Sequence, residues 1–179
     1  MGGQNNTQLR VYGATLQGFA QACVNLNIVA GNKAAEALRE IEVDQWYPFE
    51  LLRTIERVVV DSYEKADPIL ERVGIQMMLG WYNLGPGKQF VKRGVDFLYF
   101  QTGSHRYSSV VKGPPELVGD FELIEIDEEK GTAVVRSSTP FNKSLERGVI
   151  IGGLSAPGDL DYIDVSNRAD ETWFVIEFC

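Results

Sequence analysis

The residue types that perform most protein chemistry are scarce in this chain. His105 is the only histidine, so a serine–histidine–aspartate relay would depend on it alone, and histidine-paired metal sites are excluded. The two cysteines, Cys23 and Cys179, have no spacing typical of a metal site or a disulfide framework. The motifs G-x-S-x-G, H-E-x-x-H and paired C-x-x-C are absent, as is a phosphate-binding glycine loop. We therefore predict that the chain is not an enzyme.

Aromatic and methionine side chains are the second group that could act at a site. Met77, Trp81 and Phe97 stand in stretches with helical spacing, together with several other large apolar residues. These side chains could line an apolar pocket that receives a small molecule. Aromatic stripes at helical spacing also pack as ordinary core, and the sequence leaves both interpretations open.

The last third of the chain is predicted to form the sheet against which these side chains lie. Two runs rich in β-branched residues, 121–126 and 132–139, flank a polar turn that ends in glycine and indicate a hairpin. Runs 162–166 and 172–178 indicate a second hairpin. The prediction is a four-stranded antiparallel sheet in the order strand, strand, helix, strand, strand.

The helix between the two hairpins is predicted to begin at a cap on Asn142. Its apolar pattern places Glu146 and Arg147 on the solvent side. The glycine-rich segment 148–153 lies inside this helix, and we expect it to allow close packing on the sheet.

Helical spacing dominates the chain before the sheet. The predicted helices cover 15–30, 33–41, 49–63, 67–81 and 88–101, and a short amphipathic segment covers 104–112. We therefore predict an α+β protein, with a helical half (about 9–115) packed on the sheet (about 119–178) within one domain, 1–179.

Composition excludes several classes of protein. The formal charge of −8 argues against nucleic-acid binding, which needs clustered lysine and arginine. No apolar run approaches the length of a membrane span, and 1–8 lack the features of a secretory signal, so we expect a cytoplasmic protein. A basic group that includes Lys88, Lys92 and Arg93 could receive a carboxylate, or could form a solvated helix face.

The order of elements resembles a superfamily that groups haem nitric-oxide/oxygen-binding (H-NOX) domains, four-vinyl-reductase-like domains and TRAPP-complex subunits. The likeness covers nearly the whole chain. Segment 95–100, then His105, then 110–115 resembles the helix that carries the haem ligand in the gas sensors, with its histidine and a following K-G-x-x-P-P pattern. Segment 134–153 is similar to the four-vinyl-reductase-like branch.

The haem branch implies specific roles for some of these residues. His105 would be the proximal iron ligand, and a Y-x-S-x-R motif would bind the haem propionates. The matching strand, 135–139, carries Ser137 but neither the tyrosine nor the arginine. The propionates would then need other donors, for which Arg136, Lys92 and Arg93 are the candidates.

Three functions follow as alternatives. The first is a non-catalytic sensor or regulatory domain that binds a small apolar or haem-like ligand and signals to a partner protein or a homodimer. The second is a haem-based gas sensor with His105 on the iron. The third is a dimerising adaptor module of the TRAPP type.

Overall fold

The computed structural model describes residues 8–103, 107–168 and 170–179. The described part of the chain has eight helices: α1 (Gly13–Asn25), α2 (Gly31–Ala37), α3 (Phe49–Val60), α4 (Asp67–Leu84), α5 (Gly87–Phe90), α6 (Asp96–Thr102), α7 (Pro115–Val118) and α8 (Lys143–Ser155). None of these helices is both long and apolar enough to cross a membrane. The predicted α+β class is confirmed.

The sheet predicted for the last third of the chain is present. Its strands are β4 (Phe121–Asp127), β5 (Thr132–Ser137), β6 (Ile163–Asn167) and β7 (Trp173–Phe178). All pairs are antiparallel, in the order β4-β5-β7-β6, so β5 and β7 are central. Phe174, Ile176 and Phe178 alternate onto the buried face of β7, as the period of two predicts.

A second sheet lies in the half that was predicted to be helical. It consists of β1 (Arg10–Tyr12), β2 (Trp46–Pro48) and β3 (Val111–Lys112), with β1 in the centre. Val11 faces both Tyr47 and Val111 in this sheet and is fully buried. These strands join positions far apart in sequence, which local spacing does not reveal.

The run 88–101 was predicted to form one helix, and the structure divides it into α5 and α6. At the break, Gly94 lies so close to the Leu154 carbonyl oxygen and the Leu160 side chain that a β-carbon would collide with them. The Asp96 carboxylate accepts hydrogen bonds from the backbone N–H groups of Lys92 and Arg93 at 3.1 and 2.8 Å. The break therefore brings this segment against α8, and Asp96 satisfies the backbone donors that it frees.

Helix α8 begins as predicted, with the Asn142 side chain accepting hydrogen bonds from the backbone N–H groups of Ser144 and Leu145. Its glycines, however, pack on helices and not on the sheet. A β-carbon on Gly148 would collide with the Glu71 carbonyl oxygen of α4, and one on Gly153 would collide with the Phe97 ring of α6. The glycine segment thus brings the backbones of α8 and α4 into direct contact.

Two buried apolar clusters fill the molecule. The first lies among α1, α2, α3 and α4, with Leu16, Phe19 and Leu52 among its largest side chains. The second lies between the four-stranded sheet and α8, where Ile150 and Leu154 pack on the buried face of β5 and β7. Helix α8 also contributes Leu145 to the first cluster, so it belongs to both.

Candidate functional site

Ser137 lies at the end of β5, on the face of the sheet that is covered by α8. It is fully buried, and its backbone N–H donates to the Thr172 carbonyl oxygen at 2.8 Å. Its hydroxyl donates to both oxygens of the Glu146 carboxyl, at 3.0 Å to Oε1 and 2.7 Å to Oε2. The Thr139 hydroxyl, two residues further on the same face, also donates to Glu146 Oε1. The two hydroxyls therefore serve one carboxyl group.

Lys143 completes this buried polar cluster, which we define as Ser137, Thr139, Lys143 and Glu146. Its ammonium nitrogen lies 2.8 Å from Glu146 Oε2, 3.0 Å from the Ser137 hydroxyl oxygen and 3.0 Å from the Thr139 carbonyl oxygen. A lysine ammonium has three N–H donors, so these contacts use all of them. Two hydroxyls and one ammonium converge on the two oxygens of Glu146, an arrangement that suits an ionised carboxylate.

Glu146 was predicted to face solvent, and the structure places it in the interior at 5% exposure. Burial raises the pKa of its carboxyl, whereas the Lys143 ammonium and the hydroxyls of Thr139 and Ser137 oppose that rise. The prediction was wrong because helical spacing identifies an apolar stripe but cannot identify a polar residue that has buried partners on a strand. Arg147, predicted on the same side, is half-buried and forms an ion pair with Glu71.

Two further ionisable side chains lie near the polar cluster. Burial and the nearby Glu146 charge raise the pKa of Tyr107, whose hydroxyl donates to the Val118 carbonyl oxygen at 2.7 Å. On α3, burial raises the pKa of Glu56 to about 7, and the charge of Glu146 adds to this rise against the opposing Arg53. The Glu56 Oε1 atom is buried and accepts no hydrogen bond from the described residues. The helical half and α8 thus meet around four ionisable side chains and the hydroxyls of Ser137 and Thr139.

A row of aromatic side chains forms a different surface, on α4, α5 and α6. The Trp81 and Phe100 rings have centroids 5.1 Å apart, and Phe100 and Phe90 have centroids 5.3 Å apart. Trp81 and Phe100 are half-buried and Phe90 is 41% exposed. A β-carbon on Gly80, the neighbour of Trp81, would have no atom within 4 Å. We call Trp81, Phe100 and Phe90 the aromatic row.

The other residues predicted for an apolar pocket have ordinary packing roles. Phe97 is buried, with its ring against Gly153 of α8. Met77 is half-buried against the first apolar cluster, and its methyl group faces Gly18 of α1. Of the three residues selected from the sequence, Trp81 is the one that contributes to the aromatic row.

Arg136 lies on the face of the sheet opposite to Ser137. Its guanidinium pairs with Glu122 at 2.5 Å and lies 5.8 Å from the Trp173 ring centroid. Adjacent strand residues point to opposite faces, so Arg136 and Ser137 cannot bind the same group from this strand. Of the other candidate donors, Arg93 pairs with Asp96 and Glu128, each at 3.0 Å.

A polar groove of about 620 Å³ opens at the start of α8, next to the polar cluster. Its wall is built from α4, the start of α8, the end of β6 and Glu171 in the turn before β7, and it contains the Glu71–Arg147 ion pair and one side of Lys143. Lys143 therefore faces the buried Glu146 and also reaches the edge of this groove, with its side chain 20% exposed.

The polar cluster does not fit the propionate-binding role that the sequence resemblance implies. A haem carries carboxylates and needs free donors, but Ser137, Thr139 and Lys143 all donate to the chain's own Glu146. Arg136 faces away, on the other side of the sheet. His105, the predicted iron ligand, lies outside the described residues. Ser137, Thr139, Lys143 and Arg136 therefore do not form a propionate site.

Sequence reasoning missed Lys143, Glu146, Thr139 and Glu56. Lys143 and Glu146 stand three residues apart and so share a helix face. Ser137, at the end of β5, and Thr139, just after β5, stand two apart, so an extended backbone points both to one face. That spacing was the available signal. Nothing local showed that the two faces meet.

Comparisons with known proteins identify the fold through structure alone. No family model and no curated protein sequence matches the chain. Among solved structures, the chain matches a crystal structure described as an oxygen-binding H-NOX domain related to soluble guanylate cyclases, in its oxygen complex. That match has a TM-score of 0.65 and 15% identity and covers 93% of this chain and 94% of the other.

Other structures of the same kind give similar values. A mutant of the T. tengcongensis H-NOX domain matches with a TM-score of 0.61 and 16% identity over 93% of this chain and 96% of that one. A structure described as giving insight into the mechanism of H-NOX activation matches with a TM-score of 0.58 and 17% identity over 90% and 92%. The chain therefore has the H-NOX fold, which confirms the predicted structural resemblance.

Proposed function

We propose that this chain is a cytoplasmic sensor or regulatory domain, without catalytic activity, that binds a small apolar molecule in a pocket between its helices and its sheet. The observation that carries the proposal is the aromatic row, a partly exposed apolar surface on α4, α5 and α6. Helix α6 packs on α8 and β4, so a ligand against the row would contact helices that reach the sheet. Aromatic faces suit a planar or hydrocarbon ligand, which they hold by dispersion and by loss of water.

The test compares two tryptophan variants. Trp81→Ala removes the centre of the aromatic row, whereas Trp173→Ala removes a tryptophan that lies on the sheet beside Arg136 and Arg168. Both are titrated with the apolar dye anilinonaphthalene sulfonate, and organic extracts of the purified proteins are compared by mass spectrometry. We expect Trp81→Ala to lose dye affinity and any co-purifying compound, and Trp173→Ala to behave like the wild type. Equal behaviour of the two variants would contradict the proposal.

Transmission of ligand occupancy to a partner protein or to a second copy is part of the same proposal. Its measurement is the molar mass by light scattering, for the protein with and without the compound recovered from the extract. A change of mass in the wild type that Trp81→Ala does not show would support signalling through self-association.

A haem-based gas sensor is the second candidate, and the fold that the chain shares with an oxygen-binding H-NOX domain favours it. In that case His105 is the proximal iron ligand. The measurement is the absorption spectrum of the protein purified with haem supplied, for the wild type and for His105→Ala. A Soret band that is lost or shifted in the variant would support haem ligation by His105. Absence of a band, or one unaffected by the substitution, would leave the haem-free sensor.

A further inference from the structure

The Glu146 carboxyl is surrounded by hydrogen-bond donors in addition to its ion-pair partner on α8. It lies in the interior, and its two oxygens accept from three donors that come from different elements: Ser137 on β5, Thr139 after β5 and Lys143 on α8. Those donors also contact one another, with Lys143 Nζ 3.0 Å and Thr139 Oγ1 3.1 Å from the Ser137 hydroxyl oxygen. The donors therefore form a preorganised cradle around one carboxyl group.

We infer that Ser137, Thr139 and Lys143 form a carboxylate-binding site that this chain fills with its own Glu146, so that the fold is anchored at this point without an external carboxylate ligand. The internal carboxyl group has the advantage that its connection to α8 removes the entropy cost of binding a separate molecule. It also satisfies donors that would otherwise be buried without partners at high cost.

The internal Glu146 carboxyl also limits how the protein could hold a haem. Ser137 is the position at which the resemblance places a propionate contact, and there the chain supplies a carboxyl group of its own. A second carboxylate at this position would be repelled by the first and would find its donors in use. Any haem that the protein takes up is therefore held without its propionates at this cradle. The inference does not depend on what binds at the aromatic row.

The first experiment is chemical rescue of Glu146→Ala. The substitution removes the carboxyl group and leaves the donors of Ser137, Thr139 and Lys143 around a cavity. We expect a lower melting temperature that rises again with added acetate, in a saturable manner, as a ligand that binds only the folded state requires. Acetamide, which has the same shape and no charge, and sodium chloride at equal ionic strength serve as controls. A response to acetate no larger than these, or equal in the wild type, would overturn the inference.

A second measurement applies if Glu146→Ala does not fold. Glu146→Gln keeps the size of the side chain and leaves the Lys143 charge without its partner, and Lys143→Met removes that charge. Each single variant should lower the melting temperature. In a double-mutant cycle we expect the Lys143→Met/Glu146→Gln protein to melt at a higher temperature than the sum of the two decreases predicts. Strict additivity would show that Lys143 and Glu146 do not act together and would overturn the inference.

The haem consequence is tested on the wild type and on Ser137→Ala with two forms of the cofactor. Haem carries two free carboxylates, and its dimethyl ester carries none. We expect any preference for haem over the ester to be the same in the two proteins. A preference in the wild type that Ser137→Ala abolishes would show that a propionate is bound at the cradle and would contradict the inference, whatever the outcome for the aromatic row.

Discussion

Glu56 lies in an environment that disfavours its ionised form. Its Oε1 atom is buried and accepts no hydrogen bond from the described part of the chain. Burial, together with the nearby Glu146 charge, raises its pKa from 4.5 to about 7, against the opposing Arg53. Between these two pKa values, Glu56 is therefore more fully protonated in the folded protein than in the unfolded chain.

This raised pKa gives the stability a predictable dependence on pH. The contribution of Glu56 is fully present below the pKa of 4.5 of the unfolded chain and is lost as pH rises through the folded pKa of about 7. The interval corresponds to about 3 kcal/mol as an upper bound. We expect the free energy of unfolding, measured with urea between pH 4.5 and 8, to fall as the pH rises to about 7 and to level off above it.

Glu56→Gln is the matched control for that measurement, because it keeps the shape of the side chain and cannot ionise. The difference in stability between the wild type and Glu56→Gln should change by most of that amount across the same pH range. A difference that stays constant with pH would show that Glu56 is ionised in the folded protein throughout.

Two residues show what sequence reasoning can and cannot reach at this scale. Ser137 was selected because it stands where the resemblance places the serine of a Y-x-S-x-R motif, and that role stays a prediction. Its partner Glu146 was assigned to solvent. A helical pattern distinguishes apolar from polar positions, but the environment of a polar residue depends on what another element presents to it. The Ser137–Glu146 contact joins β5 to α8, and only the tertiary structure supplies that information.

At the scale of elements, the close backbone contact between α4 and α8 at Gly148 can be tested by a single substitution. A β-carbon on Gly148 would collide with the Glu71 carbonyl oxygen, an atom of the α4 backbone that cannot move aside. Gly148→Ala should therefore force the two helices apart and destabilise the protein by about 1–3 kcal/mol, a cost larger than the gain in helix propensity. Chemical denaturation measures the change.

Gly80→Ala on α4 is the control for this prediction. Its β-carbon would have no atom within 4 Å, so the substitution should stabilise the protein by about 0.5–1 kcal/mol through helix propensity alone. Opposite signs for the two glycines would confirm that close packing, and not backbone freedom, explains Gly148. The same sign for both would contradict the close contact of α4 with α8.

Some helices and strands could be predicted from local sequence, and others depend on contacts with distant parts of the chain. The hairpins β4–β5 and β6–β7 were predicted because each pairs neighbours in sequence across a short turn. The sheet of β1, β2 and β3 was missed because β1 pairs with strands far along the chain. Segment 88–101 was read as one helix because its spacing is helical, whereas the close approach of Gly94 to α8 interrupts it.

At the scale of the whole molecule, the two apolar clusters raise the question of whether the protein unfolds in one step or two. Helix α8 supplies Leu145 to the first cluster and Ile150 and Leu154 to the second. If either cluster unfolds, α8 loses its packing there, and the other cluster is weakened as well. We expect a single calorimetric transition whose van't Hoff and calorimetric enthalpies agree, as for one cooperative unit. Two separate transitions would contradict this and would show that residues 9–115 and 119–178 unfold independently.

The glycine contacts between α4 and α8 also determine how the molecule responds to force. Where side chains lie between two helices, a small displacement of one helix can be accommodated because those side chains change rotamer. Backbone packs directly against backbone at Gly74, Gly148 and Gly152, so few side chains that could change rotamer lie between α4 and α8. We therefore expect the two helices to move together, so that a displacement beside Trp81 on α4 would also shift Lys143 and Glu146 on α8.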